Sequence, residues 1–145
     1  MTRVNRTSEI RLTVHSSSDG VSDIRWHADD APEPGEQTAE AMILALWDAE
    51  RCNALRIDLW TPRLTVDDMN DFVYQTLLSL ADSYLRATGN DDLMAEIKGF
   101  ARAFAERAAS QERRAASQER RGANQERRAA SQERSVGQDG DDQGA

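Results

Sequence analysis

The sequence predicts an α+β fold of two layers, in which three helices cover one face of a small three-stranded, antiparallel-type sheet. Three short segments alternate apolar and polar residues with a period of two, as half-buried strands do. Three longer segments space their apolar residues by three and four, as amphipathic helices do. The length of 145 residues suits one domain. The predicted order is β-β-α-β-α-α, followed by a low-complexity C-terminal tail.

The first two strands are expected to form a hairpin. Residues 10–14 (IRLTV) and 24–28 (IRWHA) both alternate apolar and polar side chains. The segment between them begins with serines at 16–18 and ends at Gly20, which is typical of a turn. Residues 29–35 (DDAPEPG) then form a loop, because two prolines and a glycine interrupt any regular element.

The next two elements are predicted to be a helix that ends near Asp48 and a third strand. The apolar residues of the helix have the spacing i, i+3, i+4, i+7 and i+8; they are Ala39, Met42, Ile43, Leu46 and Trp47. The strand follows at residues 55–60 (LRIDLW), where apolar and polar residues alternate again. Pro62 ends it, because proline has no backbone N–H to donate.

Two further helices are predicted from local signals at their ends. Thr65 and Asp68 form a capping box for the longer one, and Gly89 is placed at its C′ position. Asn90 caps the last helix. The core stripe of that helix consists of Leu93, Ile97, Phe100, Ala101 and Phe104.

A repeat begins at Arg107 with four seven-residue units, RAASQER, RAASQER, RGANQER and RAASQER. A coiled coil would need bulky apolar residues at two positions of each heptad, and the repeat offers only alanine. Two interpretations stay open, a solvated product of tandem duplication and a multivalent binder of acidic partners. The predicted organisation is a flexible N-terminus at 1–7, an α+β domain at 8–108, a repeat tail at 109–134 and a disordered acidic end at 135–145.

Charge and hydropathy narrow the classes of partner. The formal net charge is −8, and residues 1–106 carry ten basic and nineteen acidic side chains. This acidic body argues against nucleic acid as a partner, because phosphate neutralisation needs a concentrated basic surface. No apolar run is long enough to insert in a membrane, and the N-terminal residues contain no apolar signal region. With a single cysteine, Cys52, the chain is expected to be cytoplasmic.

The sequence contains no recognisable arrangement of catalytic, cofactor-binding or metal-ligating residues. Its two histidines lie on separate predicted strands, whereas a zinc site needs three or four ligands. The glycine-rich phosphate-binding motifs and the nucleophile-elbow motif are absent. We therefore predict no catalytic residue, no metal site and no cofactor.

One group of residues is predicted to be a partner-binding face. If the apolar side of the sheet faces the helices, the other side is basic and aromatic. The candidate residues are Arg11, Arg25, His27, Arg56, Asp58 and Trp60. Three interpretations stay open: a solvated face with Arg–Asp pairs, a docking surface for a protein partner, and a face on which two copies stack as a homo-oligomer.

Several motifs resemble the gliding motility protein GldC family, which consists of small soluble proteins, mostly from Bacteroidetes and related bacteria. These motifs are SEIRLTV, ALWD, LRIDLWT and VDDMNDFVYQTLLSLADSYLRATG. The resemblance covers roughly Ser8 to Arg107, and the repeat departs from it, because family members generally end soon after the last helix.

The resemblance implies a non-enzymatic accessory or adaptor role in gliding motility or a related envelope machine, with an unidentified protein as partner. The family has no established catalytic or ligand residues to transfer to this chain. The alternative is a small enzyme or ligand-binding domain, with a pocket between sheet and helices around Trp47, Asp48, Arg56 and Asp58.

Overall fold

The computed structural model describes the backbone of residues 6–136 and the side chains of residues 6–131. This part of the chain is α+β, as predicted. Its elements are β1 (Ile10–Ser17), β2 (Gly20–Ala28), β3 (Gln37–Ala39), β4 (Ala41–Asp48), β5 (Asn53–Trp60), α1 (Val66–Thr88) and α2 (Asp91–Val136). The chain divides into two compact units, residues 1–73 and residues 74–145. Most of the predicted flexible N-terminus and of the predicted acidic end lies outside the described residues.

The first sheet contains the predicted hairpin. Strands β1 and β2 pair antiparallel from Ile10 opposite Ala28 to Ser17 opposite Gly20, with a bulge after His15. Gly20 has a φ of 116°, which favours glycine at this turn. The short strand β3, which the sequence did not predict, pairs antiparallel with β2 on the side away from β1.

The predicted helix over residues 39–48 is wrong, because most of this segment is strand β4. It pairs antiparallel with β5 in a separate two-stranded sheet. The apolar spacing suggested a helix because strand β4 is apolar on both faces. Its residues therefore satisfy a helical period as well as a strand period. The third predicted strand exists as β5, but it pairs with β4 and not with the first hairpin. The order is therefore five strands followed by two helices, in place of β-β-α-β-α-α.

Glu40 lies between β3 and β4 and connects the two sheets through several polar contacts. Its carbonyl accepts a hydrogen bond from the Thr61 backbone N–H at 2.8 Å, and its carboxylate accepts one from the Thr61 hydroxyl. Arg63 Nε lies 3.0 Å from Glu40 Oε1, and Arg63 Nη1 donates to the Ser22 carbonyl at 3.3 Å. Thr61 is fully buried. These contacts fix the end of β5 beside the start of β2.

The ends of both helices follow the sequence signals. The Thr65 hydroxyl accepts a hydrogen bond from Asp68 N–H at 3.1 Å, and Asp68 Oδ2 accepts one from Thr65 N–H at 3.1 Å, which confirms the capping box. Gly89 has a φ of 68° and donates its N–H to the Leu85 carbonyl, and Asn90 Oδ1 accepts from Leu93 N–H at 3.0 Å.

The described residues contain two helices, so the prediction of three was wrong. Helix α2 is 46 residues long and continues through the whole repeat. Within the second unit, Lys98 Nζ on α2 lies 2.7 Å from Asp82 Oδ1 on α1. Ala81 and Ala101, one on each helix, are fully buried.

The described side chains form a very small core. The buried apolar residues are Ile24, Ala81, Ala101 and Ala108. Three of these four are alanines, which remove little apolar surface from water. Thirteen large apolar side chains are exposed, most of them on the two sheets. The sheets therefore offer apolar surface that the described chain leaves in contact with solvent.

Candidate protein-binding surface

The structure divides the six predicted face residues between the two sheets. Arg11 stands opposite His27 in the β1–β2 register, and Arg25 lies two residues before His27 on the same face. Arg56, Asp58 and Trp60 lie on one face of β5, in the other sheet. The six therefore form two groups of three, each on its own sheet.

The arginines of the first group already have acidic neighbours. Arg25 Nε lies 2.6 Å from Asp23 Oδ2, and Arg25 Nη1 lies 3.1 Å from Glu36 Oε2. The hydrogen bond from Arg25 holds the pKa of Asp23 below its usual value. Arg11 Nη2 lies 2.8 Å from Glu9 Oε1. Exposed pairs of this kind contribute little to stability and suit a solvated face.

The second group belongs to a larger exposed surface on the β4–β5 sheet, which we call the aromatic face. The register places Ile43 opposite Asp58, Ala45 opposite Arg56 and Trp47 opposite Ala54. The aromatic face consists of Ile43, Trp47, Arg56, Asp58 and Trp60. Trp47 is 68% exposed and Trp60 is 54% exposed. Arg56 Nε lies 3.6 Å from Asp58 Oδ1, which is too long for a strong hydrogen bond, so both groups can bind elsewhere.

Trp47 was not predicted as a face residue, because its spacing from Ile43 and Leu46 also fits the core side of a helix. The usable signal was that residues 41–48 and 53–60 are both eight residues long and end in or near tryptophan. They flank a short polar turn, as two strands of a hairpin do.

The turn between β4 and β5 fixes the register of the aromatic face. Asp48 Oδ1 accepts hydrogen bonds from the backbone N–H groups of Glu50 at 3.0 Å and Arg51 at 3.2 Å. Arg51 Nη1 lies 2.7 Å from Asp48 Oδ2, and this hydrogen bond lowers the pKa of Asp48. Cys52 closes the turn with a φ of 48°, in the left-handed region. The turn thus explains the contacts of Asp48, and a role in a pocket is not needed to explain them.

The opposite side of the same sheet is aliphatic except at the turn, where Asp48 stands opposite Asn53, and we call its aliphatic part the aliphatic face. Its residues are Met42, Leu44, Leu46, Leu55, Ile57 and Leu59. Leu46, Leu55 and Ile57 are each more than half exposed. The β4–β5 sheet therefore exposes large apolar side chains on both sides, which is unusual for an antiparallel pair with one solvated face.

The repeat part of α2 separates its charges around the helix. A seven-residue period on a helix of 3.6 residues per turn places Arg113, Arg114 and Arg121 on the same side as the serines. The glutamates of the repeat lie on the other side of the helix. A shallow open groove follows the arginine side; its lining consists of Ser110, Arg113, Arg114, Ser117, Gln118 and Arg121. This surface could bind carboxylates through charge-assisted hydrogen bonds.

Residues 6–131 contain no group of three or more histidine, cysteine or acidic side chains that could hold a metal ion. In the same part of the chain, neither helix combines the length and the apolar character that crossing a membrane requires.

Comparison with known proteins identifies the family. A family model described as "Gliding motility-associated protein GldC-like" matches residues 21–110, which is more than half of the chain. The match includes both strands of the aromatic face and the start of the repeat. No curated protein and no solved structure matches the chain. The chain belongs to the GldC-like family of gliding motility-associated proteins.

Proposed function

We propose that this GldC-like chain is a non-enzymatic adaptor that binds a protein partner of the motility or envelope machinery through the aromatic face. The observation that carries the proposal is the pair of exposed tryptophans, Trp47 and Trp60, beside Arg56 on a chain whose described core is very small. Tryptophan and arginine are the residues most enriched at the energetic centres of protein interfaces. The family description supports gliding motility as the process in which the adaptor acts.

The composition of the aromatic face favours a protein over other ligands. Flat aromatic side chains provide large contact areas with few rotatable bonds, and they bury apolar surface at small entropic cost. The Arg56–Asp58 pair adds one positive and one negative group, so the surface suits a partner that is apolar in the centre and polar at the edge. The ion-paired face of the first sheet is not needed for this binding.

The test is partner capture from lysate of the native host with the wild-type chain and with Trp60→Ala. We expect the variant to remain folded by circular dichroism and to weaken capture by about 1 kcal/mol or more, as at an interface hot spot. Arg11→Ala is the matched control, because Arg11 is exposed on the other sheet and already paired with Glu9. Equal capture by Trp60→Ala and wild type would refute the role of the aromatic face.

A second candidate function concerns the repeat, which the family resemblance does not cover. Its helical form aligns arginines along one side of α2, and this favours binding of an acidic protein segment. Capture with a chain that ends at residue 108 tests this. A partner that is lost with the repeat but retained by Trp60→Ala would belong to the arginine side, and an unchanged set of partners would remove this candidate.

A further inference from the structure

The two sheets of the first unit are joined by a small polar cluster, which we call the Glu40 junction; it consists of Ser22, Glu40, Thr61 and Arg63. Both oxygens of the Glu40 carboxylate are used there. Oε2 accepts a hydrogen bond from the Thr61 hydroxyl, and Oε1 accepts one from Arg63 Nε at 3.0 Å. Arg63 also donates from Nη1 to the Ser22 carbonyl on β2 at 3.3 Å. The Glu40 junction therefore ties together segments that belong to both sheets.

The backbone of Thr61 is hydrogen-bonded on both sides. Its N–H donates to the Glu40 carbonyl at 2.8 Å, which continues the β4–β5 pairing by one residue beyond the pair that contains Trp60. Its carbonyl accepts from Leu64 N–H at 3.2 Å and closes a turn with Pro62 in the second position, where proline is favoured. Trp60 thus directly precedes a residue whose N–H, carbonyl and hydroxyl all have partners.

The Glu40 junction also lies beside the most buried part of the first unit. Ile24 and Thr61 are fully buried, and no other side chain among residues 6–73 is classed with them. Ile24 stands opposite Ala39 in the β2–β3 register, and Ala39 directly precedes Glu40. Because these residues include one large buried apolar side chain, hydrogen bonds take a larger share in holding the two sheets together.

The charges of the Glu40 junction favour a defined geometry. The hydrogen bonds from Thr61 and Arg63 hold the pKa of Glu40 below its usual value, so the carboxylate is ionised at neutral pH. Hydrogen bonds to an ionised group are roughly twice as strong as neutral ones and are more directional in their effect. The side chains of Glu40 and Arg63 are 45% and 59% exposed, so solvent screens the ion pair and its contribution to stability is small.

Trp60 is the side chain whose order depends most on the Glu40 junction. It is the last residue of β5, and strand ends fray when nothing holds them. Because side chains alternate along a strand, the direction of the Trp60 indole follows from the backbone on either side of it. On one side Leu59 is paired with Met42, and on the other side Thr61 is held by the junction.

We infer that Glu40 and Arg63 are positioning residues for the aromatic face, which act through Thr61 to hold Trp60 in one orientation. The positioning itself does not depend on the proposed function, whereas its value for binding a partner rests on that function. Neither residue needs to contact the partner.

The primary test is the indole N–H signal of Trp60 in NMR spectra of the isotope-labelled full chain, assigned by its loss in Trp60→Phe. The wild type should give one sharp signal. Glu40→Ala and Arg63→Gln should broaden or split it, whereas the Trp47 indole, at the other end of the sheet, should keep its signal. Glu40→Gln should behave more like the wild type, because its amide oxygen can still accept the Thr61 hydroxyl.

Thr65→Ala is the matched control for a general loss of stability. It removes the capping box of α1 and leaves every contact of the Glu40 junction in place. The inference is overturned if the Trp60 signal stays unchanged in Glu40→Ala and Arg63→Gln, and equally if Thr65→Ala broadens it to the same extent. If Glu40→Ala does not fold, Arg63→Gln decides, because it changes a largely exposed side chain.

Capture from lysate of the native host tests what the positioning is for. Glu40→Ala should weaken capture about five-fold in the wild-type background and cause no further loss in Trp60→Ala, because Glu40 acts through Trp60. Additive losses in the double variant would overturn the inference. If the wild type captured nothing, the proposed function would fail, and the NMR signal of Trp60 would still decide whether the Glu40 junction positions this side chain.

Discussion

Two glycines near the connection between α1 and α2 should respond in opposite ways to the same substitution. Gly99 lies inside α2, and a Cβ built there meets no heavy atom within 4 Å. Gly89 also has open space around it, but its φ of 68° is in the left-handed region. Gly99→Ala therefore removes flexibility from the unfolded chain without a clash, whereas Gly89→Ala places a side chain on a strained backbone.

The magnitudes follow from the two backbone conformations. Glycine in a helix interior is about 1 kcal/mol less favourable than alanine, so Gly99→Ala should raise the free energy of unfolding by about 1 kcal/mol. A left-handed conformation costs a side chain-bearing residue roughly 1–2 kcal/mol. Since Gly89→Ala also reduces unfolded-state entropy by up to about 1 kcal/mol, we expect a net loss of about 1 kcal/mol.

Urea denaturation followed by circular dichroism at 222 nm measures both changes. The two variants should differ by about 2 kcal/mol with equal m-values, because neither substitution alters the surface exposed on unfolding. Gly99→Asn and Gly89→Asn are useful controls, since asparagine tolerates the left-handed region and is poor inside a helix. If Gly99→Ala were destabilising, a neighbouring segment must approach this side of α2 closely, and the open surroundings of Gly99 would be disproved.

Substitutions at four further positions test local features. Thr65→Ala should lower stability by about 1 kcal/mol through loss of the capping box, and thermal unfolding measures it. The folded-state pKa of Asp68 is lowered by its hydrogen bonds to Thr65, so its stabilising effect is present above about pH 4 and is lost below it; the stability gap between wild type and Asp68→Asn should narrow from pH 5 to pH 2.5. Cys52→Gly should stabilise by about 0.5–1 kcal/mol relative to Cys52→Ala, because Cys52 has a φ of 48°. Gly122→Ala should increase helical ellipticity without changing the urea midpoint, since the Gly122 region has no tertiary contact within 4 Å of an added Cβ; a shifted midpoint would contradict that expectation.

The parts of the fold that the sequence predicted depend on local chemistry. The β1–β2 hairpin has alternation in both strands and a turn that ends at Gly20, where a positive φ is needed. The helix ends follow from Thr65, Asp68 and Asn90, whose side chains bond backbone groups within three residues. Signals that depend only on residues close in sequence can be recognised without knowing which other strand or helix an element packs against.

The parts that the sequence did not predict depend on pairing between distant segments. Met42 and Ile43 satisfy a helical spacing, and they equally suit two faces of one strand. Only the presence of β5 as a partner decides between these structures. The alternation of Arg56, Asp58 and Trp60 was predictable within β5, but their separation from Arg11 depends on which strand β5 joins. The sequence therefore predicted which residues of the candidate site share a face within one strand, but it did not predict which strands share a sheet.

The order of the β4–β5 sheet determines how well the aromatic face is prepared for a partner, because both tryptophans lie on these two strands. A sheet of two strands is marginal alone, so contacts that fix its ends reduce the entropic cost of ordering it when a partner binds. Contacts at Thr61 and Glu40 hold one end of the sheet, next to Trp60. The Asp48 turn holds the other end, next to Trp47. The proposed partner of the aromatic face therefore meets strands that are already paired between two fixed ends, and its affinity is higher because it does not have to order them.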